Sequence, residues 1–490
     1  MTYPAYPQYK DSGVAWLGDV PKDWEVKRGR FSMSVNPPSP KMRGLEPDAE
    51  VSFLPMDAIS EYGGLRRNET KIKADVGGGY TEFQDGDVVI AKITPCFENG
   101  KGSLVSDLLN SVAYGTTELH VLRTFRDLDN RFLFYITITH GFRKLGESEM
   151  YGAGGQKRVP PEFCKDFRIP LPPIGEQTTI ADFLDSETGR IDTLVAKKRK
   201  LVELLKEKRS ALISRTVTRG LPADAAREFG LNTDNIAVHE APASYGRGDF
   251  NRPQAEANKL APTSERPSVQ AFKDSGVEWL GEIPSHWHVM PLFRITSLIQ
   301  TGPFGSQLHA SDYVEGGIPL INPAQIVGGK LVPDELCCVD ESTADRLQRH
   351  KLQAGDIVMG RRGEIGRCAL VTTAESGWIC GTGSLLIRFI NSDATYFSKV
   401  ISNSGFVGVL ELNAVGTTML NLNPTIVGRM LVPAPTLQEQ TAIATYLDRE
   451  TAKIDRLVAK VETAITRLQE YRSALITAAV TGKIDVRGAL

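Results

Sequence analysis

The chain has 490 residues, 41% hydrophobic and 24% charged, which is enough for two or more cores of ordinary domain size. A formal net charge of −2 excludes a globally basic nucleic-acid binder, so any DNA contact must rest on Lys and Arg gathered locally. Six cysteines without a Cys-x-x-Cys pair exclude a disulfide framework. No apolar run approaches the roughly 18 residues of a membrane span, and the start, MTYPAYPQYK, lacks an export pattern, so a cytoplasmic protein with reduced thiols and no membrane contact is expected.

The first recognisable element, KDSGVAWLGDVPKDWEV at Lys10–Val26, returns as KDSGVEWLGEIPSHWHV at Lys273–Val289 with 11 of 17 positions identical. At the same offset of 263, Glu176–Lys197 returns as Glu439–Lys460 and Arg209-Ser-Ala-Leu-Ile213 as Arg472-Ser-Ala-Leu-Ile476. One unit has been used twice. Between these flanks the copies share no fixed register, although a Gly-Asp turn before an apolar run recurs (DGDVVIAKI from Asp85, AGDIVMGRR from Ala354). A repeated scaffold with unlike middles suits two different readers held equivalently; drift after an old duplication would leave the same pattern.

In chain order, residues 1–172 read as a first α+β domain. Residues 173–220 read as a long helix, 221–270 as an Ala/Pro-rich linker with five prolines and nine alanines, and 271–435 as a second α+β domain. A second long helix covers 436–482, and 483–490 form a tail. The helices carry apolar residues at 4-3-4-3 spacing, the rhythm of a coiled-coil seam. The positions are Ile180, Leu184, Ile191, Leu194, Leu201, Leu205 and Leu212 in the first helix, and Ile443, Leu447, Ile454, Leu457, Val461, Leu468 and Leu475 in the second. Glu187, Lys198, Lys208 and Glu450 fall on the same rhythm. Prolines just upstream stop the preceding strand and free each helix to begin. Neither seam can be buried alone. Antiparallel pairing is favoured because a parallel arrangement would need the linker to return about 50 Å, beyond the roughly 40 Å r.m.s. span of fifty flexible residues.

Enzyme chemistry was sought and not found. Asn36-Pro37-Pro38-Ser39 resembles the Asn/Asp-Pro-Pro-aromatic motif of amino-methyltransferases, but Ser39 stands where the aromatic stacks on a flipped base, and no cofactor loop accompanies it. GKGS at Gly100–Ser103 lacks the spacing of a phosphate loop. His286 and His288 have no metal-ligand partners at the right spacing, so no metal site is expected. What remains is recognition chemistry in the loops of the two middles. Lys92, Thr94, Asn99, Lys101, Gln156, Lys157 and Arg158 lie in the first. Ser306, Gln307, Arg361, Arg362, Arg367, Thr417, Thr418, Asn421 and Asn423 lie in the second. Arg and Lys read guanine edges, Asn and Gln adenine edges, and glycines let backbone approach phosphate.

KDSGVxWLGxIPxxW, DVVIAKITPCFENGKG, GDIVMGRRGEIGR, IPLPPIGEQ with its partner LVPAPTLQEQ, and TGKIDVRG together resemble the specificity subunits of Type I restriction-modification enzymes. The resemblance covers nearly the whole chain in order, apart from the linker. It implies two target-recognition domains, each reading half of a bipartite double-stranded DNA site and held apart by two long antiparallel coiled-coil helices. It implies a non-catalytic chain without cofactors of its own. Modification subunits, expected to be two, would bring S-adenosylmethionine and resemble adenine-N6 methyltransferases; restriction subunits would bring ATP and Mg. The alternatives are a specificity subunit of a related restriction enzyme and a coiled-coil scaffold that never touches DNA.

Overall fold

The recurring Gly-Asp turns fix how each middle folds. A computed structural model describes residues 3–76, 78–152, 155–231, 272–363, 365–414 and 421–489. Gly86 and Gly355 both sit at φ +92, where a side chain is strained, so the turn needs glycine. The aspartates that follow are buried: Asp87 accepts from the Gln84 amide at 2.8 Å and Asp356 from the Gln353 amide at 2.7 Å. Each also forks with an arginine on the neighbouring strand, Asp87 with Arg123 (2.7 and 2.8 Å) and Asp356 with Arg388 (2.7 Å twice). A bidentate pair of this kind repays the burial of the carboxylate.

These turns launch the central strand of one antiparallel sheet in each half. In the first half the sheet runs in the order Met33–Val35, Leu119–Thr124, Val88–Ala91, Gly102–Leu104. In the second the order is Thr296–Thr301, Ser384–Phe389, Ile357–Gly360, Cys368–Leu370. A second sheet in each half contains a parallel pair, Glu50–Leu54 with Val112–Gly115 and Ile318–Ile321 with Ile379–Cys380. The middles that share no register in sequence therefore share the strand order of this first sheet and the parallel pair of the second, while the other strands of the second sheet differ.

By contacts the chain forms two units, Met1–Lys200 with Val461–Leu490, and Leu201–Lys460. The long helices, Ile174–Arg219 and Leu437–Val480, are each divided between them. In the first unit the start of one helix packs on the end of the other: Ile180, Leu184, Ile191 and Val195 share a core with Leu475, Ile476, Ala479 and Val480, and Asp192 forks with Arg472 at 3.0 and 3.2 Å. In the second unit Leu212, Ile213 and Val217 share a core with Ile443 and Leu447, and Arg209 meets Asp455 at 2.9 Å. The two ion pairs are related by the same offset of 263 with the helices exchanged. Pairing is antiparallel in both.

The seam differs from the sequence expectation at three of its fourteen positions. Leu194, Leu201 and Leu457 are 43%, 44% and 49% exposed, and the neighbouring residues Val195, Val202 and Val458 turn inward instead. Ile180, Leu184, Ile191, Ile443, Leu447, Ile454 and Leu475 are buried, and Leu205, Leu212, Val461 and Leu468 half-buried. A 3.5-residue rhythm tolerates a step of three or four at each turn. Stepping by four from Leu184 and Leu447 places Thr188 and Thr451 inside, their hydroxyls satisfied by the Leu184 and Leu447 carbonyls at 2.6 and 2.7 Å. Glu187 and Glu450, which a step of three would place on the seam, lie half-buried at its margin beside Arg190 and beside Arg449 and Lys453.

The stretch read as a linker starts later than 221. Leu221, Ala225, Ala226 and Leu231, around a short helix at Ala223–Glu228, lie in the core of the second unit. Residues 232–271 lie outside the described residues. Two of the alanines read as linker composition, Ala225 and Ala226, are small core residues.

Each long helix is anchored by the repeated Glu-Gln. Glu176 accepts from the Trp24 indole at 3.1 Å and the Tyr6 hydroxyl at 2.7 Å; Glu439 accepts from the Trp287 indole at 3.1 Å and meets His286 Nε2 at 2.9 Å. Gln177 accepts from the Asp129 amide and donates to the Pro172 carbonyl, both at 2.8 Å; Gln440 does the same with Asp393 (2.8 Å) and Pro435 (2.9 Å). His286 is thus part of an anchor, and no group that could hold a metal occurs among the described residues. Replacing Glu439 by Ala would orphan the Trp287 N–H and the Thr436 amide, so equilibrium denaturation should show a loss of about 2 kcal/mol, and Glu439→Gln should cost less. Equal losses for both variants would refute the anchor.

Candidate nucleic-acid interface

In the first unit the strand Val88–Ala91 runs out into the loop that carries Lys92 and Thr94. The Lys92 amide donates to the Glu118 carbonyl at 2.9 Å and its own carbonyl accepts from Val159 at 2.8 Å. The Thr94 amide and hydroxyl both donate to the Lys157 carbonyl, at 3.0 and 3.3 Å. Two loops remote in sequence are thereby joined, and Lys92, Thr94, Lys157 and Arg158 come together. Gln156 and Lys157 are exposed beside them. Arg158 is already engaged: its guanidinium forks onto Glu118 at 2.9 and 2.8 Å, and that bond holds the Glu118 carboxyl below the usual carboxylate range. Lys101 turns toward protein, donating to the Met56 carbonyl at 3.3 Å, and Asn99 is exposed on the turn closed by its own amide and the Pro95 carbonyl.

Asn36 explains its motif. At φ +54 it closes the end of a strand, accepts from the Val121 amide at 2.9 Å and contacts His120 Nδ1 at 3.1 Å, while His120 Nε2 meets the Val159 carbonyl at 2.9 Å. Exposed Asn36 and buried His120 form a bracket that ties the strand end to the Val159 carbonyl. Sequence reading missed Glu118 and His120 because neither lies in a glycine-rich or basic stretch. Only strand pairing brings them to the loops.

The second unit repeats the backbone pattern with other side chains. Arg361 donates its amide to the Gly383 carbonyl at 2.9 Å and accepts from Leu422 at 2.9 Å, and Arg362 bridges to Asn421. Gly302 donates to the Ser384 carbonyl at 3.0 Å, which brings the loop of Ser306 and Gln307 to the same sheet edge. A Cβ at Gly302 would collide with the Gly381 carbonyl, so only glycine lets these strands approach. Ser306 and Gln307 are exposed, and between them and Gly302 stands Phe304, 59% exposed, an aromatic that the sequence reading passed over.

The three arginines read as one patch separate. Arg361 is buried, Arg362 is exposed beside Asn421, and Arg367 lies in a cleft of about 730 Å³ lined also by Arg209, Lys330, Lys399, Asp448 and Asp455. Strand pairing between Gly360 and Cys368 turns the chain back on itself, so Arg361 and Arg367 follow different strands. Asn423 caps the helix Pro424–Arg429, its side chain accepting from the Ile426 amide at 2.9 Å. Thr417 and Thr418 lie outside the described residues.

A family model for the Type I restriction modification DNA specificity domain matches residues 79–204 and 285–467, more than half the chain, with the two matches ending at equivalent positions of the repeat. The chain belongs to this specificity family. The specificity subunit of the Type I restriction enzyme EcoAI from Escherichia coli is 44% identical over 164 residues, 33% of this chain and 27% of that protein. The specificity subunit of the Type I restriction enzyme MjaVIII from Methanocaldococcus jannaschii is 21% identical over 483 residues, 96% of this chain and 94% of that one. A chain from a solved structure, described as the structural basis of complex assembly and conformational transition of the type I R-M system, shares the fold at a TM-score of 0.62 and 16% identity, covering 96% of this chain and 99% of the other. This specificity chain has no helix among its described residues long and apolar enough to cross a membrane.

Burial pushes His120 below its usual range, reinforced by Lys92 and opposed by the Val159 carbonyl, Glu162 and Glu118. The folded chain thus refuses a proton that the unfolded chain takes up below about pH 6.5, and stability falls as pH drops through that value, levelling off below the folded pKa. Unfolding measured from pH 7.5 to 5 should show a shallower pH slope for His120→Gln than for the wild type; identical slopes would remove His120 from this role.

Proposed function

We propose that this chain is the DNA-reading component of a Type I restriction-modification complex, with each unit reading one half of a bipartite double-stranded target. The carrying observation is that the family match covers part of both repeats and ends at equivalent positions, and in each repeat the same sheet edge gathers loops bearing Lys, Arg, Asn and Gln. Phosphate contacts from such loops give salt-dependent affinity, and base-edge contacts give specificity. The unlike side chains at equivalent backbone positions would give an asymmetric target.

On this reading the chain is not catalytic. Methyl transfer with S-adenosylmethionine and ATP- and Mg-dependent cleavage belong to two modification subunits and to restriction subunits in the cytoplasm. The long helices leave Leu194 exposed in the first unit and Leu201 and Leu457 in the second, apolar side chains of the kind that a docked modification subunit would cover. The helices also set the gap between half-sites.

Two outcomes test this. A binding selection with the full-length chain should return one bipartite sequence whose affinity falls steeply with salt, and the purified chain should neither cleave nor methylate it. A scaffold protein would show no sequence preference. Deleting one heptad from each long helix, residues 195–201 and 458–464, shortens the helix pair by about 10 Å, so the preferred gap should shrink by about three base pairs with half-site sequences unchanged. An unchanged gap would refute the ruler.

A further inference from the structure

The two recognition units place different charges on one backbone frame. Hydrogen bonding makes Lys92 equivalent to Arg361, since their amides donate to Glu118 and Gly383 and their carbonyls accept from Val159 and Leu422. By the same frame Glu118 corresponds to Gly383, Arg158 to Asn421, and Leu119 to Ser384. In the first unit the acid at this frame is held in a fork by Arg158. In the second the acid is gone. A Cβ at Gly383 would lie 2.7 Å from the Pro323 ring, so this position does not accommodate a carboxylate side chain.

Among the described residues of the second unit, this frame carries a cation, Arg361, with no acid paired to it. Arg361 is 8% exposed, and its Nε has no hydrogen-bond partner among the described residues; the buried Ser384 Oγ and Asn421 Oδ1, at equivalent-frame positions, are also unpartnered. Arginine keeps its proton near neutrality, so the charge persists although burial and neighbouring Arg362 both lower its pKa. An uncompensated buried ion is a cost to the fold. A fold retains such a cost where a ligand removes it, and functional sites are where it is found.

Resting on the DNA-reading function proposed above, we propose that Arg361 is a preformed receptor for a pair of acceptor atoms on bound DNA, with Ser384 and Asn421 beside it, and that the first unit lacks this receptor, carrying Lys92 at the position of Arg361 next to the Glu118–Arg158 pair. A guanine edge and a phosphate share this chemistry, since each offers paired acceptors to a guanidinium fork. The half-sites are therefore read by unlike means. The second unit supplies a cationic fork, whereas the first offers a neutralised Glu118–Arg158 pair with free Lys92, Lys157 and Gln156 side chains around it.

The test uses full-length Arg361→Met and Arg361→Lys on the duplex recovered for the wild-type chain, with thermal melting of each variant without DNA. Arg361→Met should bind about 10- to 100-fold more weakly and melt no lower than the wild type, because an unpaired buried charge has been removed. Arg361→Lys should lie between the two in affinity, retaining charge but losing the fork. Relaxed preference at one base position identifies a guanine edge; a uniform loss with a salt slope reduced by about one identifies a phosphate. Arg361→Met binding as tightly as the wild type overturns the receptor while leaving the DNA-reading function standing, and a lower melting temperature accompanying lost affinity overturns it in favour of a structural role. A wild-type chain that selects no duplex overturns the functional reading and the receptor together.

Discussion

The fold of each unit depends on how a helix of more than forty residues is tied to a sheet domain at its first turn. Adjacent Glu and Gln do this in both repeats. The carboxylate takes the indole N–H of a buried tryptophan from the N-terminal motif, and the carboxamide spans the proline carbonyl before the helix and the capping aspartate of another helix. One dipeptide thereby joins three segments far apart in sequence. Buried amides and indoles left without partners are expensive, so the joint is rigid as well as specific. The direction in which each helix leaves its domain follows from it.

With the joint in place, helix pairing follows from complementarity within each unit. Asp192–Arg472 and Arg209–Asp455 are one interaction repeated with the helices exchanged, as a duplicated sequence paired antiparallel must produce. Ion pairs with one side chain half exposed contribute little stability, of order 0–1 kcal/mol. Their value is in register, since a shift by one residue would part both of them. The leucines that the actual register leaves outside are available to partners.

The recognition frame shows how duplication separates scaffold from chemistry. Backbone hydrogen bonds at the sheet edge are retained between the copies, while the side chains they position have changed from an acid held by arginine to a glycine beside an unpaired arginine. A backbone frame of this kind constrains nothing about the charge it displays, except where packing forbids a side chain, as at Gly383 beside Pro323. Two readers of different specificity can therefore evolve on one fold.

The repeat itself, the long heptad helices, the α+β character of the middles and the basic loops were all legible in the amino-acid sequence, because each rests on local pattern: identity at a fixed offset, a 3.5-residue rhythm, Gly-Asp turns and clusters of Lys, Arg and Asn. The antiparallel direction was legible through chain connectivity. Choosing between Leu194 and Val195, or Leu201 and Val202, for the seam needed the partner helix, since both choices satisfy the rhythm and only the facing side chains decide which is covered. The same limit applied at the interface. Arg361, Arg362 and Arg367 are neighbours along the chain, yet strand pairing gives them a buried, an exposed and a cleft position, while Glu118, 40 residues from Arg158, neutralises it. Sequence order reports what a residue is and which periodicity it serves; the charge environment of a side chain is set by which strands lie beside it, and tertiary structure alone decides that.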